Sequence, residues 1–226
     1  MKKNLILLAT AALSIAQATA QSAGTVDGVY YTTPATECST PDSAGFIRRW
    51  YLLDPIDKPN RSNTVFTDSY LREAFNHEYF KGQKTVVPTD GQKEKAGSQR
   101  LKWHATESTG YNVHLYRFAA LNNNQVYGVL FWAVTVIYAP DDINDVRLSV
   151  GSNSASMWWL NGNEVLLMSG DRRMVADDAT SKRISLKKGR NVLRGAIING
   201  PGMSSFCVRF IGADGKPLTN LEICGK

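Results

Sequence analysis

The sequence predicts an all-β domain, a β-sandwich of jelly-roll type with one short helix. Three observations carry that prediction. About ten short runs rich in Val, Ile, Leu and aromatic residues follow one another along the chain. Turn residues separate these runs, most sharply Asn161-Gly162 between two apolar stretches. One segment alone, residues 69–75, carries helix signals. The chain has 226 residues, enough to bury a core of its own, and neither an internal repeat nor a linker divides it.

The elements follow in order. Met1-Lys2-Lys3, the apolar run from Leu5 to Ile15 and the small residues Ala18-Thr19-Ala20 form an export signal over residues 1–20. Cleavage near Gln21 implies a periplasmic or extracellular protein. The apolar run is too short to span a membrane, and no longer one follows, so a membrane-spanning chain is not expected. Residues 21–45 are rich in Ser, Thr, Gly and Pro and read as a coil-like lead-in to a domain over 46–226. Phe46 to Leu53 is the first strand and stops at Asp54-Pro55. Ser69 to Phe75 is the helix, with Thr67 or Asp68 to cap it. Thr85 to Val87 is a short extended piece, and residues 90–100 are a charged loop. Leu101 to Ala105 and Tyr111 to Phe118 read as strands. Asn122-Asn123-Asn124 is a turn.

Val126 to Tyr138 is the most apolar stretch of the exported chain, and its Val, Ile and aromatic content favours strand over helix. Val146 to Val150 alternates cleanly. Ser156 to Leu160 and Asn163 to Met168 flank the Asn-Gly turn as a hairpin. Trp158 and Leu160 share one face of it, Met157 and Trp159 the other. Arg183 to Leu186, Asn191 to Asn199 and Ser205 to Ile211 complete the strands, with a turn at Asp214-Gly215.

Charge and cysteines narrow the function. Loss of Lys2 and Lys3 with the signal takes the formal charge from +6 to +4. That mild excess is an ordinary solvated surface, and nucleic acid is not an expected partner. Three cysteines in an exported chain permit one bridge and leave one thiol. Cys38 with Cys224 would tie the two ends together, while Cys207 lies in an apolar run and reads as buried. Spacing alone leaves the pairing open.

No catalytic set can be assigned. There is no G-x-S-x-G motif, and Gly151-Ser152-Asn153 lies between two strands rather than at a strand-to-helix elbow. The three histidines, His77, His104 and His114, form no triad by spacing. No pair of glutamates stands out as a glycosidase acid and nucleophile. Asp141, Asp142 and Asp145 cluster hard oxygen ligands of the kind calcium prefers, although an ordinary polar turn is the commoner use of such a run. Sugar recognition needs flat aromatic faces beside polar groups. Trp103 and Trp159 are the candidate stacking residues. Tyr111, Asn112, Arg172 and Arg173 are their candidate neighbours, and Trp50 and Trp132 are assigned to the core.

Three motifs carry a family resemblance: Gly151-Ser152-Asn153, Trp159-Leu160-Asn161-Gly162, and Leu186-Lys187-Lys188-Gly189-Arg190-Asn191. They resemble the galactose-binding-like jelly rolls attached to secreted carbohydrate-active enzymes of gut bacteria. The stretch "GFIRRWYLLDPI" to "NRSNTVFTDSYLREAF" is similar to the non-catalytic N-terminal region of acetylxylan esterases of Bacteroidetes-type bacteria. The resemblance covers roughly residues 45–220 and speaks to fold more than to ligand. It implies recognition of a plant polysaccharide such as xylan, beside an esterase or glycosidase. It also strengthens the expectation of a structural calcium ion. Two alternatives accompany it: an acetylxylan esterase, and a docking module for a carbohydrate-active enzyme.

Overall fold

The computed structural model describes residues 28–225. The export signal at 1–20, and with it the start of the lead-in, lies outside the described residues. The strands and helices in chain order are β1 (Tyr31–Thr32), β2 (Cys38–Ser39), β3 (Arg49–Leu53), β4 (Ile56–Asp57), α1 (Asp68–Asn76), β5 (Lys93–Ala96), β6 (Gln99–Ser108) and α2 (Leu115–Leu121). They continue with β7 (Val129–Ala139), β8 (Ile143–Ser152), β9 (Ala155–Leu160), β10 (Asn163–Met168), β11 (Ala179–Thr180), β12 (Ile184–Leu186), β13 (Gly189–Asn199), β14 (Phe206–Ile211) and β15 (Glu222–Cys224).

The fold is an all-β sandwich of two antiparallel sheets. The larger runs β1-β6-β3-β7-β13-β9-β10. β13 pairs with β7 over its whole length, so β7 offers its other edge to β4, β3 and β15 in series. The smaller sheet is built on β8, with β14 on one edge and β11 and β12 on the other. The Asn161-Gly162 turn closes the β9–β10 hairpin with both residues at positive φ, 51° and 84°, which matches the twist of the flanking strands.

Two apolar cores result. Between the sheets, Trp50, Leu52, Phe131, Trp158 and Leu193 meet Val146, Leu148, Val150, Phe206 and Val208. On the outer face of the larger sheet, Tyr51, Leu53, Trp103, Trp132, Met157 and Trp159 lie under Leu71, Ala74 and Phe75 of α1, with Phe66 and Phe80. β7 is therefore buried on both faces, which is why its sequence runs almost unbroken in apolar residues. Trp158 with Leu160 faces one core and Met157 with Trp159 the other, in keeping with the two-residue period.

Several elements differ from the sequence reading. Residues 111–118 are not a strand. Val113 makes a single bridge to Phe206, and α2 follows. The buried residues Leu115, Phe118 and Ala119 have helical spacing, masked by the apparent alternation before them. The described residues thus hold two short α-helices rather than one. The charged stretch 90–100 contains β5 and the turn into β6, because a strand at a sheet margin needs no apolar face to pair. The short β1, β2 and β15 escaped the sequence reading altogether. α1 stands where expected, and its cap is Thr67, whose Oγ1 accepts from the Tyr70 N–H at 3.4 Å.

Candidate ligand-binding site

The concave feature that gathers the most chemistry is a cleft of about 320 Å³ on the outer face of the larger sheet. Its floor is Tyr51, Ala105 and Val134. These come from β3, β6 and β7, neighbours in the sheet beyond the cover provided by α1. Its wall is Pro34, Thr36, Glu37, Cys224 and Gly225. These segments are held by the pairing of β15 with β2 and β7, by a disulfide and by four further hydrogen bonds. Cys38 and Cys224 are joined by a disulfide, leaving Cys207 as the free, buried cysteine. The Gly225 N–H donates to the Glu37 carbonyl at 3.0 Å. The Tyr51 hydroxyl donates to the Gly225 carbonyl. The Arg49 guanidinium donates to Thr36 O at 2.9 Å and to Thr36 Oγ1 at 3.2 Å.

Arg49 is 5% exposed and closes one end of the cleft. Its Nη2 also donates to Glu107 Oε2 at 2.7 Å, while its Nε has no partner. Burial raises the Tyr51 phenol above its ordinary range, Asp90 adds to the rise and Arg49 opposes it. Tyr51 is therefore a neutral hydroxyl at any physiological pH. The cleft thus combines an apolar floor with a neutral phenol, a hydroxyl, a backbone carbonyl, one fixed cation and the exposed Glu37 carboxylate. That set can bind and orient a neutral polar molecule through hydrogen bonds.

The residues singled out from sequence are dispersed. Trp103 is fully buried, with its indole N–H pointing to Glu94 Oε1 at 3.3 Å. Trp159 is 6% exposed and stacked on Trp132 at 5.6 Å. Neither presents a face to a sugar. The sequence reading left the second face of their sheet open, whereas α1 and the chain around it cover that face. Tyr111 is exposed and leans on Phe46 at 5.1 Å, far from both tryptophans in the fold. Asn112 beside it keeps its Oδ1 buried without a partner. Arg172 is bound to Asp178 at 2.5 Å, and Arg173 is exposed on the same loop. The structure brings none of these six residues into the cleft.

The acidic run does not converge either. Asp141 Oδ1 accepts from Lys188 Nζ at 3.0 Å, Asp142 Oδ1 from the Lys188 N–H at 2.7 Å, and Asp145 faces Arg183 at 3.7 Å. Asp141 and Asp142 are both engaged by Lys188, through its ammonium and its backbone N–H, and Asp145 by Arg183. Among the described residues, the one group of three metal-ligating side chains within reach of one another is Cys38, Glu222 and Cys224, two of them spent on the disulfide.

Ser152 is fully buried, and its hydroxyl donates to the Ser154 carbonyl at 2.5 Å, so it is not placed as a nucleophile. His104 is engaged with Asp54 at 2.9 Å, and Asn124 donates to the same carboxylate oxygen at 2.9 Å. That trio latches the end of α2 to the sheet. Among the described residues, no helix is long and apolar enough to cross a membrane.

No family model matches the chain, and no curated protein matches it. Solved structures with partial likeness include the PA14 domain of the MpAFP antifreeze protein, 12% identical over 80% of this chain and 90% of that one, with a TM-score of 0.42. A PA14 sugar-binding domain from an RTX adhesin is 9% identical over 77% and 96%, at 0.43. A β-glucosidase from Kluyveromyces marxianus, solved with glucose, is 19% identical over 57% of this chain and 14% of its own, at 0.33. At these scores the likeness assigns neither fold nor ligand to this chain.

Arg49, Tyr51 and Thr36, the cleft's polar groups, went unnoticed in the sequence. One signal was available: Arg48-Arg49 inside an otherwise apolar strand places one guanidinium on a buried face, where it must find acceptors.

Proposed function

We propose that this is an exported, non-catalytic saccharide-binding protein and that the cleft over Tyr51, Ala105 and Val134 holds the sugar. The observation that carries the reading is the pairing of an apolar floor with neutral hydrogen-bonding groups on a pre-built wall. A sugar ring has the same two aspects, a C–H face and an equator of hydroxyls. The cleft volume sits at the low end of the roughly 300–1,000 Å³ typical of ligand sites. The sequence resemblance to domains of carbohydrate-active enzymes supports a plant polysaccharide, with xylan as the first one to test.

The test is a calorimetric titration of residues 21–226 with xylan, acetylated xylan, mannan, galactan, arabinan and mixed-linkage glucan, with their short oligosaccharides. Acetate release is followed on the same samples. Saturable binding without acetate is expected, and Ala105→Phe, which fills the cleft without removing a hydrogen bond, should abolish it. Acetate release that persists in purified protein would replace this reading with an esterase. An alternative, docking on an enzyme partner, draws on the groove of about 640 Å³ along the sheet-edge strand β10, lined by Arg72, Glu164, Leu166, Lys182 and Ile184. Binding to none of the saccharides would favour it.

A further inference from the structure

A second surface has the character of a sugar contact. Three segments meet at one end of the sandwich: residues 113–128, which include α2, and the connections over 152–155 and 199–206. Val113 bridges Phe206, and the Tyr116 N–H donates to the Ser204 carbonyl at 3.0 Å. Asn153 Nδ2 donates to Met203 O at 2.8 Å, and Asn199 Nδ2 to Val126 O at 2.8 Å. These bonds fix the backbone on which Tyr116 and Tyr127 stand side by side, ring centroids 5.8 Å apart. Yet Tyr127 is 49% exposed and Met203 46%. Beneath them the Ser204 hydroxyl is buried without a partner.

Most large apolar side chains among the described residues are buried, so a half-exposed Tyr127 resting on the half-buried Tyr116, with the half-exposed Met203 on an adjoining segment, calls for a ligand. Bracing matters because it removes the entropy cost of ordering the rings on binding. Tyrosine offers a ring face and a hydroxyl together, which suits an amphipathic partner. We propose that Tyr116, Tyr127 and Met203 form a second saccharide platform, taking the C–H face of a pyranose unit in a polymer whose other part occupies the cleft. This rests on the saccharide reading above. The platform lies beyond the Val129 end of β7, and the cleft reaches that strand at Val134. Five residues of strand span roughly 17 Å. A disaccharide is too short to engage both sites, whereas a polymer can.

The experiment measures polymer and disaccharide affinity, over the same saccharide panel, for the wild type, Tyr127→Ala and Ala105→Phe, with melting curves to confirm folding. Tyr127→Ala should lower polymer affinity about 10²-fold by removing the second point of attachment. Its disaccharide affinity should match the wild type. Tyr127→Phe, which keeps the ring, should retain most of the polymer affinity. Unchanged polymer affinity in Tyr127→Ala, with loss in Ala105→Phe, overturns the platform and leaves the cleft standing. Loss in Tyr127→Ala with none in Ala105→Phe keeps the platform and overturns the cleft. A wild type that binds no saccharide overturns both.

Discussion

The two sheets are each covered on their outer face, and by opposite means. The larger sheet is covered by apolar side chains: Phe66, Leu71, Phe75 and Phe80 press on Trp103, Trp132 and Trp159. The smaller sheet is covered by the 171–178 loop, which adheres through polar contacts. Asp177 accepts from Ser149 Oγ at 2.6 Å and from the Arg209 guanidinium. That guanidinium also lies over the Phe46 ring at 4.7 Å and donates to Ala44 O at 2.8 Å. Beneath this loop Gly151 has no room for a side chain, since a Cβ there would stand 2.1 Å from the Val175 carbonyl oxygen. Burial pushes the Cys207 thiol up to about 11, so it stays protonated under the same cover. Apolar covers resist changes in charge and fail by losing volume. Polar covers tolerate little change in shape or protonation.

The largest effect expected from this contrast is at Trp103. Trp103→Ala empties a fully buried site and should cost about 3–5 kcal/mol, read as a lower urea midpoint. A cost under about 1 kcal/mol would mean that the apolar cover can collapse onto the gap. Next is the staple at the chain ends. Cys38→Ser with Cys224→Ser opens a loop of 186 residues and should cost about 2–4 kcal/mol. The same variant should weaken saccharide binding, because the cleft wall loses its anchor. Retained affinity would show that the Arg49, Tyr51 and Glu37 contacts hold the wall by themselves. Gly151→Ala tests the other cover. Steric conflict with a backbone carbonyl should cost about 1–3 kcal/mol and expose residues 171–178 to limited proteolysis.

The same contrast explains what the sequence could reveal. Val146 to Val150 is readable because its outer cover is polar, so Arg147 and Ser149 alternate with the buried Val146, Leu148 and Val150. So is the Asn161-Gly162 hairpin, where turn chemistry acts locally. Covers were not readable, because they are long-range facts. Nothing near Trp103 or Trp159 in the chain announces that α1 lies over them, so both read as open ring faces. α2 was lost for another reason: Tyr111 to Phe118 alternates well enough to hide the 115, 118, 119 spacing. The cleft depends on three strands and both chain ends converging, with Arg49 and Thr36 separated by a turn and half a strand. Each residue is unremarked alone, and their meeting is a property of the topology.

The smallest predicted effect is the most specific to the polar cover. The Arg209 hydrogen bond holds the Asp177 carboxyl below its ordinary value of 3.8, burial opposes that shift, and the Ser149 hydroxyl supports it. The folded protein therefore binds this proton less readily than the unfolded chain. The stabilisation is complete above 3.8 and is lost as pH falls through the lower folded value. Asp177 is about one-third exposed, so the pair is worth roughly 1 kcal/mol or less at neutral pH. Asp177→Asn is the suitable variant, since φ at this position is +58° and Asn tolerates that conformation as Asp does. Urea denaturation at pH 7 and at pH 3 should show a small loss in the variant at pH 7 and a smaller difference from wild type at pH 3. Trp103→Ala should show the same deficit at both pH values. If Asp177→Asn were equally costly at both, the loop would be held by shape, through Gly151 and Val175, and the distinction between the two covers would reduce to one of packing.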